Sequence, residues 1–167
     1  MSALGLNRYQ RARSRRLAVR AAYLLLNNAP LVHYTQDSRR WQGISLRKRS
    51  YRGEFPSYSD CSSSTTWCLW DATRRYRLPD FVNNADWKAG YTGTQVDHGV
   101  RVGNNEKLLR ADLAFYGDQG GGVPKHVAIV VRGGRNPLVI SHGSEGGPYL
   151  LPLKYRSDFV GCRRYIR

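Results

Sequence analysis

The sequence predicts an α+β fold, with N-terminal helices packed on an antiparallel sheet of about five strands. Helical patterns occupy the first half of the chain, and short β-rich runs separated by Gly or Pro follow in the last third. Helices followed by a block of strands are typical of α+β domains, because successive strands pair with their neighbours. With 167 residues, of which 41% are hydrophobic, the chain is long and apolar enough for a packed core.

Residues 7–28 are predicted to form the first helix. Leu17, Ala21 and Leu24 recur at helical spacing and share one face. The segment also resembles a secretory signal, but Arg20 interrupts its apolar stretch and no small-residue cleavage site follows. No apolar run approaches the roughly 20 residues of a membrane-spanning helix. We therefore expect no membrane span, and a protein made in the cytoplasm without a signal peptide.

The net charge of +15 is concentrated near the N-terminus, since residues 1–52 carry 12 basic residues and one acidic residue. We therefore divide the chain into a basic helical extension, 1–50, and a nearly balanced domain, 51–167. Such a charge favours a polyanionic partner: nucleic acid, acidic lipid or an anionic wall polymer. Two interpretations of the first helix remain open. It is either a helix docked on the domain with a solvated basic face, or an arm that binds a polyanion.

A second helix is expected over 61–77, where apolar residues again follow helical spacing after Asp60, a good N-cap. Residues 29–59 are predicted to be loop with short extended pieces, and a short helix is expected around 84–91. The predicted strands are Leu113–Tyr116, His126–Val131, Leu138–His142, Tyr149–Leu153 and Phe159–Tyr165.

Cys61 is the best candidate nucleophile, because it directly follows the predicted N-cap. The positive end of the helix dipole and the unpaired backbone N–H groups there favour a thiolate, so we expect a lowered pKa. The same N–H groups would hold an oxyanion. Cys68 lies two turns later on the apolar stripe and is assigned to the core, as is Cys162. Because no metal-ligand spacing such as C-x-x-C or H-E-x-x-H occurs, we expect no metal and no cofactor.

His126, at the start of a predicted strand, is the candidate base, since imidazole titrates near neutral pH. A hairpin centred symmetrically on Gly134 would place His126 directly opposite His142, with about 5 Å between their Cβ atoms. His142 is therefore the favoured group to orient His126. Glu145 is the alternative, because a carboxylate would orient the imidazole more strongly. A slip of one residue in register would remove the match between the two histidines.

Four ordered segments carry a resemblance to a known family: Asp60-Cys61-Ser62-Ser63, Ala111–Tyr116, His126–Val130 and Ile140–Gly143. Residues 51–167 thereby resemble the NlpC-type cell-wall cysteine peptidases, which have a reduced papain-like fold. The resemblance implies Cys61 as nucleophile, His126 as base and His142 as orienting residue. It also implies a tyrosine near the oxyanion site, for which Tyr51 and Tyr58 are both candidates.

The chain departs from the family pattern at Ala111, Ala128 and Ser63, where glycine is usual. None of these changes removes a reactive group. Asp60 and Ser62, which flank the cysteine, are included among the candidate oxyanion or substrate residues. The run from Ser141 to Glu145 resembles the peptidase domains of actinobacteriophage lysins and tail proteins more than it resembles the general family pattern.

The resemblance implies a peptidoglycan endopeptidase that cleaves stem peptides or cross-bridges, in a phage endolysin or a tail-associated, virion-borne wall hydrolase. Peptidoglycan is the expected partner, and the basic N-terminus would add affinity for anionic wall polymers. The alternatives are an amide transferase on the same fold, a nucleic-acid-binding protein and an inactive structural phage protein. Nucleic acid is not expected as a partner, because neither base-stacking aromatics nor a known nucleic-acid motif stands out.

Overall fold

The computed structural model describes residues 4–118, 120–144 and 146–167. The helices are α1 (Arg8–Asn27), α2 (Gln42–Ser45), α3 (Cys61–Thr73) and α4 (Thr92–Val96). The strands are β1 (His33–Tyr34), β2 (Tyr58–Ser59), β3 (Val100–Val102), β4 (Leu113–Tyr116), β5 (His126–Arg132), β6 (Leu138–Gly143), β7 (Gly146–Pro152) and β8 (Phe159–Arg164). None of the described helices is both long and apolar enough to span a membrane.

The described part of the chain contains a six-stranded sheet, in the order β3-β8-β4-β5-β6-β7, with all neighbours antiparallel. This arrangement confirms the predicted α+β fold and the five predicted strands. The additional strand, β3, escaped prediction because only Val102 of its three residues is buried, so its sequence shows no apolar alternation. Strands β1 and β2 form a separate two-residue parallel pair beside α3.

Helix α1 is docked on the domain. Asn7 caps its first turn, because its side chain accepts a hydrogen bond from the Gln10 N–H and its own backbone N–H donates to the Gln10 side-chain oxygen. Ala18, Ala21 and Leu25 are buried in the same hydrophobic cluster as α3 and β5. Of the two interpretations of the first helix, the structure therefore shows a helix docked on the domain. The division of the chain at residue 50 stays a prediction.

Helix α3 is the central helix, because all but one of its residues are buried. Asp60 and Ser63 form a capping box at its start, and Arg74–Tyr76 continue it as a short 3₁₀ turn. Cys68 is 1% exposed, which confirms its assignment to the core.

The sheet presents two apolar faces, because successive residues of a strand point to opposite sides. Val127 and Ile129 of β5 pack in the cluster that contains α1 and α3. Ala128 and Val130 lie in a second cluster on the opposite face. This division determines which side of the sheet each histidine occupies.

The helix predicted around 84–91 is wrong. Asn84, Asp86 and Trp87 have φ angles of 54°, 51° and 60°, in the left-handed region that a right-handed helix excludes. The Asp80 carboxylate organises this loop by accepting hydrogen bonds from backbone N–H groups, among them those of Val82 and Ala85. Side-chain to backbone bonds of this kind stabilise turns in competition with a helix.

Candidate active site

Cys61 occupies the first turn of α3, as the sequence predicted, and its side chain is nearly inaccessible. The residue is 7% exposed, and its Sγ atom lies 3.8 Å from the Thr92 hydroxyl oxygen. Backbone hydrogen bonds from Val127 and Ser62 also reach the sulfur. The thiol therefore lies between the start of α3, the start of α4 and the first residues of β5.

The expected lowering of the thiol pKa is wrong for this arrangement. Burial raises the pKa of the Cys61 thiol to about 11, and the adjacent Asp60 carboxylate adds to the rise. Hydrogen bonds from Val127, Thr92 and Ser62 act in the opposite direction but are the smaller effect. The free-energy cost of removing a thiolate from water is larger here than the stabilisation that the helix N-terminus provides. Cys61 is consequently a neutral thiol at pH 7 in this structure.

His126 begins β5, and its ring contacts residues on the face of the sheet that carries Ala128 and Val130. Its Nε2 atom lies 2.8 Å from the Ser141 hydroxyl oxygen, which in turn lies 2.9 Å from the Tyr155 hydroxyl oxygen. The ring also packs beside that of Tyr116, with centroids 5.8 Å apart. The contact with Ser141 therefore restricts the orientation of the His126 imidazole.

The sulfur of Cys61 and the backbone of His126 are close neighbours. The amide N–H that approaches the sulfur belongs to Val127, and that amide is bonded directly to His126. The candidate nucleophile therefore lies beside the backbone that carries the candidate base. Catalytic pairs are commonly looser without substrate than in the reacting complex.

The predicted hairpin register is wrong by one residue. Ala128 pairs with Ser141 and Ile129 with Ile140, and the pairing shifts between Val130 and Arg132. The turn is centred on Arg135 and not on Gly134, because Arg132 pairs with Leu138, and the irregularity then adds one residue to the β5 side. Ser141 shares a face with His126 as a result, and His142 points to the opposite face.

His142 supports the segment that precedes Cys61. Its Nδ1 atom lies 2.9 Å from the Ser59 hydroxyl oxygen, and Tyr34 packs edge-on against its ring with centroids 5.6 Å apart. The residue is 2% exposed. His142 thus packs against the β1–β2 pair. The residue that contacts Nε2 of His126 is Ser141. Glu145, the alternative orienting residue, lies outside the described residues.

The two candidate tyrosines lie at different ends of α3. Tyr51 is exposed and accepts a hydrogen bond from the Arg49 guanidinium at 2.5 Å, in a 3₁₀ turn beside Asp71 near the end of α3. Tyr58 is half-buried in β2, immediately before Ser59, and its ring contacts that of His33. Tyr58 is therefore the tyrosine on the Cys61 side of the molecule.

Asp60 and Ser62 organise the start of α3. The Asp60 carboxylate accepts hydrogen bonds from the Ser63 N–H at 2.8 Å and the Ser62 hydroxyl at 3.0 Å. Arg40 forms an ion pair with the same carboxylate. Asp60 is 3% exposed and Ser62 is 1% exposed, so that both are committed to internal contacts. The structure gives these two residues a positioning role around Cys61.

Three contributors to this site escaped the sequence-based interpretation: Thr92, Ser141 and Arg40. Thr92 lies in a five-residue helix with too few apolar residues to show a period. Ser141 adjoins His142, which was favoured because a register symmetric about Gly134 places it opposite His126. Arg40 was grouped with the other basic residues of the N-terminal segment. A strand register shifted by one residue from the symmetric one would have placed Ser141 on the same face of the sheet as His126.

Comparison with solved structures shows which fold this is. NlpC1 from Trichomonas vaginalis superposes with a TM-score of 0.54 at 18% identity, over 89% of this chain and 44% of that protein. NlpC2 from the same organism gives 0.53 at 17% identity, over 89% and 46%. An NlpC/P60 family protein from Bacillus cereus matches at 24% identity with a TM-score of 0.47, over 67% and 33%.

The fold is therefore the papain-like α+β fold of the NlpC type. The chain spans less than half the length of each of these solved structures. No protein-family model matches the chain, and a comparison with curated proteins gives no match.

Proposed function

We propose that this protein is a cysteine peptidase that hydrolyses amide bonds in peptidoglycan stem peptides or cross-bridges. One observation carries the proposal. On an NlpC-type fold, a cysteine in the first turn of a capped helix adjoins the strand that begins with His126, whose Nε2 is held by Ser141. These parts are a nucleophile, a base and a group that orients the base.

In the proposed reaction, Cys61 Sγ attacks the scissile carbonyl while its proton passes to the imidazole of His126. The N–H groups of the first turn of α3 stabilise the oxyanion. His126 then protonates the leaving amine, and a thioester to Cys61 remains. Water attacks that thioester with His126 as base, which releases the carboxylic acid and restores the thiol.

The raised pKa of Cys61 affects the order of these events. Because the thiol pKa is raised to about 11, little thiolate is present at neutral pH before substrate binds. Proton transfer to His126 must then accompany the attack on the carbonyl. In this proposal Ser141 replaces His142 as the orienting group, since Ser141 makes the contact with the ring.

The direct test uses purified peptidoglycan and counts the free amino groups released by the wild-type protein and by Cys61→Ala. The proposal expects release by the wild type alone. Release that survives Cys61→Ala would overturn it. An amide transferase uses the same first half-reaction, so a parallel digestion with added glycinamide separates the two. Transfer of glycinamide into the products in place of hydrolysis would favour the transferase.

We also propose a phage-type role, as an endolysin or a virion-associated wall hydrolase. The basis is the resemblance of the segment from Ser141 to Glu145 to actinobacteriophage peptidase domains. The proposal expects purified protein to lyse actinobacterial cells from outside once the outer lipid layer is removed. Digestion of isolated wall without lysis of such cells would contradict this role but leave the peptidase proposal intact.

A further inference from the structure

A strongly cationic depression lies at the opposite end of α3 from Cys61. One cavity there has a volume of about 570 Å³, and its cationic lining comprises Arg47, Arg49, Arg74, Arg77 and Lys88. An adjoining cavity of about 590 Å³ shares three of these arginines and adds Arg13, Arg20 and Arg75. We call the two cavities together the basic groove. The first α3 residue in its lining, Trp70, follows Cys61 by nine residues, which is about 14 Å along the helix at a rise of 1.5 Å per residue.

The positive charge of the basic groove is not neutralised within the protein. Among the residues that the structure describes, Arg40 and Arg164 each have a carboxylate within 4.0 Å, but none of the seven arginines of the groove does. Of the two carboxylates in the lining, Asp71 accepts hydrogen bonds from Ser50 and Asp86 pairs with Lys88. The groove therefore has a large excess of cationic groups.

Arg74 is fixed at the boundary between the two cavities. Its guanidinium lies 4.1 Å from the centre of the Trp70 ring, and its Nη2 atom donates to the Arg47 carbonyl oxygen at 2.7 Å. The Nη1 atom is buried and lacks a hydrogen-bond partner. Burial lowers the pKa of Arg74, and the nearby Arg49 lowers it further. A bound anion would satisfy this donor and relieve the repulsion between the arginines.

Two arginines of the groove occupy backbone conformations that normally favour other residues. Arg47 and Arg77 have φ angles of 53° and 51°, both just after the end of a helical segment. Glycine or asparagine is the usual occupant of such positions. A cation is favourable near a helix C-terminus, but the left-handed conformation itself gives arginine no advantage. Arginine at both positions is consistent with selection for the charge.

We infer that the basic groove binds a linear phosphodiester polymer without bases, of the poly(glycerol phosphate) type found among anionic wall polymers. Guanidinium groups bind phosphate oxygens through paired hydrogen bonds. Nucleic acid is the weaker candidate, because base stacking requires open aromatic faces. Trp70 is 9% exposed and covered by Arg74, and Trp87 is 8% exposed. The more exposed aromatic ring of the lining, Tyr51, is flanked by the guanidinium groups of Arg49 and Arg52. The choice of a wall polymer rests on the proposed function, whereas the affinity of the groove for phosphodiesters does not.

The test measures binding of the full chain, carrying Cys61→Ala to prevent hydrolysis, to fluorescent poly(glycerol phosphate) over 20–300 mM NaCl. The groove variant is Arg47→Asn with Arg77→Asn. It removes two charges, and asparagine tolerates the left-handed backbone, so folding is retained. The matched control is Arg110→Gln with Arg135→Gln, which removes two exposed charges outside the lining of the groove.

The groove variant is expected to weaken binding about tenfold or more at low salt. It should also reduce the slope of log affinity against log salt by about two. The control variant is expected to change affinity less than about twofold. Equal weakening by both variants would show that net charge alone is responsible and would overturn the inference. Tighter binding of single-stranded DNA of equal charge would overturn the choice of polymer. Neither result depends on hydrolysis, so failure here is distinguishable from failure of the proposed peptidase.

Discussion

The hydroxyl oxygen of Ser141 lies 2.8 Å from Nε2 of His126, with the Tyr155 hydroxyl a further 2.9 Å beyond it. Both serine and histidine are buried, so the contact fixes the orientation of the imidazole. A group that holds a catalytic imidazole usually also determines which ring nitrogen carries the proton. Ser141 is therefore the residue that completes the proposed Cys61–His126 pair.

Ser141→Ala should lower kcat by at least about tenfold and alter its pH dependence, because the imidazole loses the contact that orients it. Ser59→Ala is the matched control, since Ser59 is an equally buried serine that hydrogen-bonds a histidine, His142. It should cost a similar free energy of unfolding and leave kcat within about twofold. Steady-state kinetics with a soluble muropeptide and denaturant unfolding measure both effects. Equal losses of kcat in the two variants would assign Ser141 a purely structural role.

Alkylation of Cys61 by iodoacetamide should be slow at pH 7 and rise about tenfold per pH unit up to pH 10. The reason is that burial raises the thiol pKa to about 11, so the thiolate fraction grows throughout this range. Peptide mapping by mass spectrometry measures the rate at each cysteine separately, with the buried Cys68 as an internal control. A plateau in the Cys61 rate near pH 7 would instead show a preformed thiolate.

Asp60→Asn should accelerate that alkylation at pH 8 several-fold. The carboxylate beside Cys61 contributes to the raised thiol pKa, and asparagine removes its charge while remaining a good N-cap. The same peptide map gives the measurement, and a circular dichroism spectrum checks that α3 is intact. An unchanged rate in a folded variant would mean that burial alone determines the reactivity.

Arg40→Gln should lower the free energy of unfolding by about 3 kcal/mol, because it leaves the buried Asp60 carboxylate without its ion-pair partner. The neighbouring Arg39→Gln is the control. Arg39 pairs with Asp37 at the surface, where both side chains are about half exposed, and its loss should cost less than about 1 kcal/mol. Urea denaturation compares the two variants. Equal costs would contradict the structural importance assigned to the Arg40–Asp60 pair.

Leu25→Ala should destabilise the protein by about 3 kcal/mol, since the Leu25 side chain of α1 is 2% exposed in the main core. Leu31→Ala, at a leucine that is 58% exposed, is expected to stay within about 0.5 kcal/mol of the wild type. Thermal or urea unfolding gives both values. A negligible loss of stability in Leu25→Ala would mean that the packing of α1 is dispensable. It would favour the alternative interpretation of the first helix, as an arm that binds a polyanion.

The sequence predicted those elements whose local pattern is strong. Helix α1 follows apolar periodicity, the five longer strands are β-rich runs separated by Gly or Pro, and the position of Cys61 follows from the capping pattern at Asp60. Helices α2 and α4 and strand β3 were missed because three to five residues carry no period. The loop around Asp80 was mistaken for a helix because its stability comes from side-chain to backbone hydrogen bonds.

The errors at the candidate site have long-range causes. The irregularity between Val130 and Arg132 places Ser141, instead of His142, on the same face of the sheet as His126. No local sequence rule determines where such a bulge forms. The pKa of Cys61 is set by burial under α4 and β5, which are distant in the sequence. Helix position alone therefore placed Cys61 correctly in the first turn of α3 but gave the wrong direction for its pKa shift.

The central claim is that Cys61 is the nucleophile of a peptidoglycan peptidase. The most direct measurement is mass spectrometry of muropeptides after digestion of purified wall by the wild type, Cys61→Ala and Cys68→Ala. Cys68 is a matched control, being a buried free cysteine two turns further along the same helix. We predict the same new amine and carboxyl termini with the wild type and Cys68→Ala, and none with Cys61→Ala. Cleavage by Cys61→Ala, or no cleavage by the folded wild type, would contradict the claim.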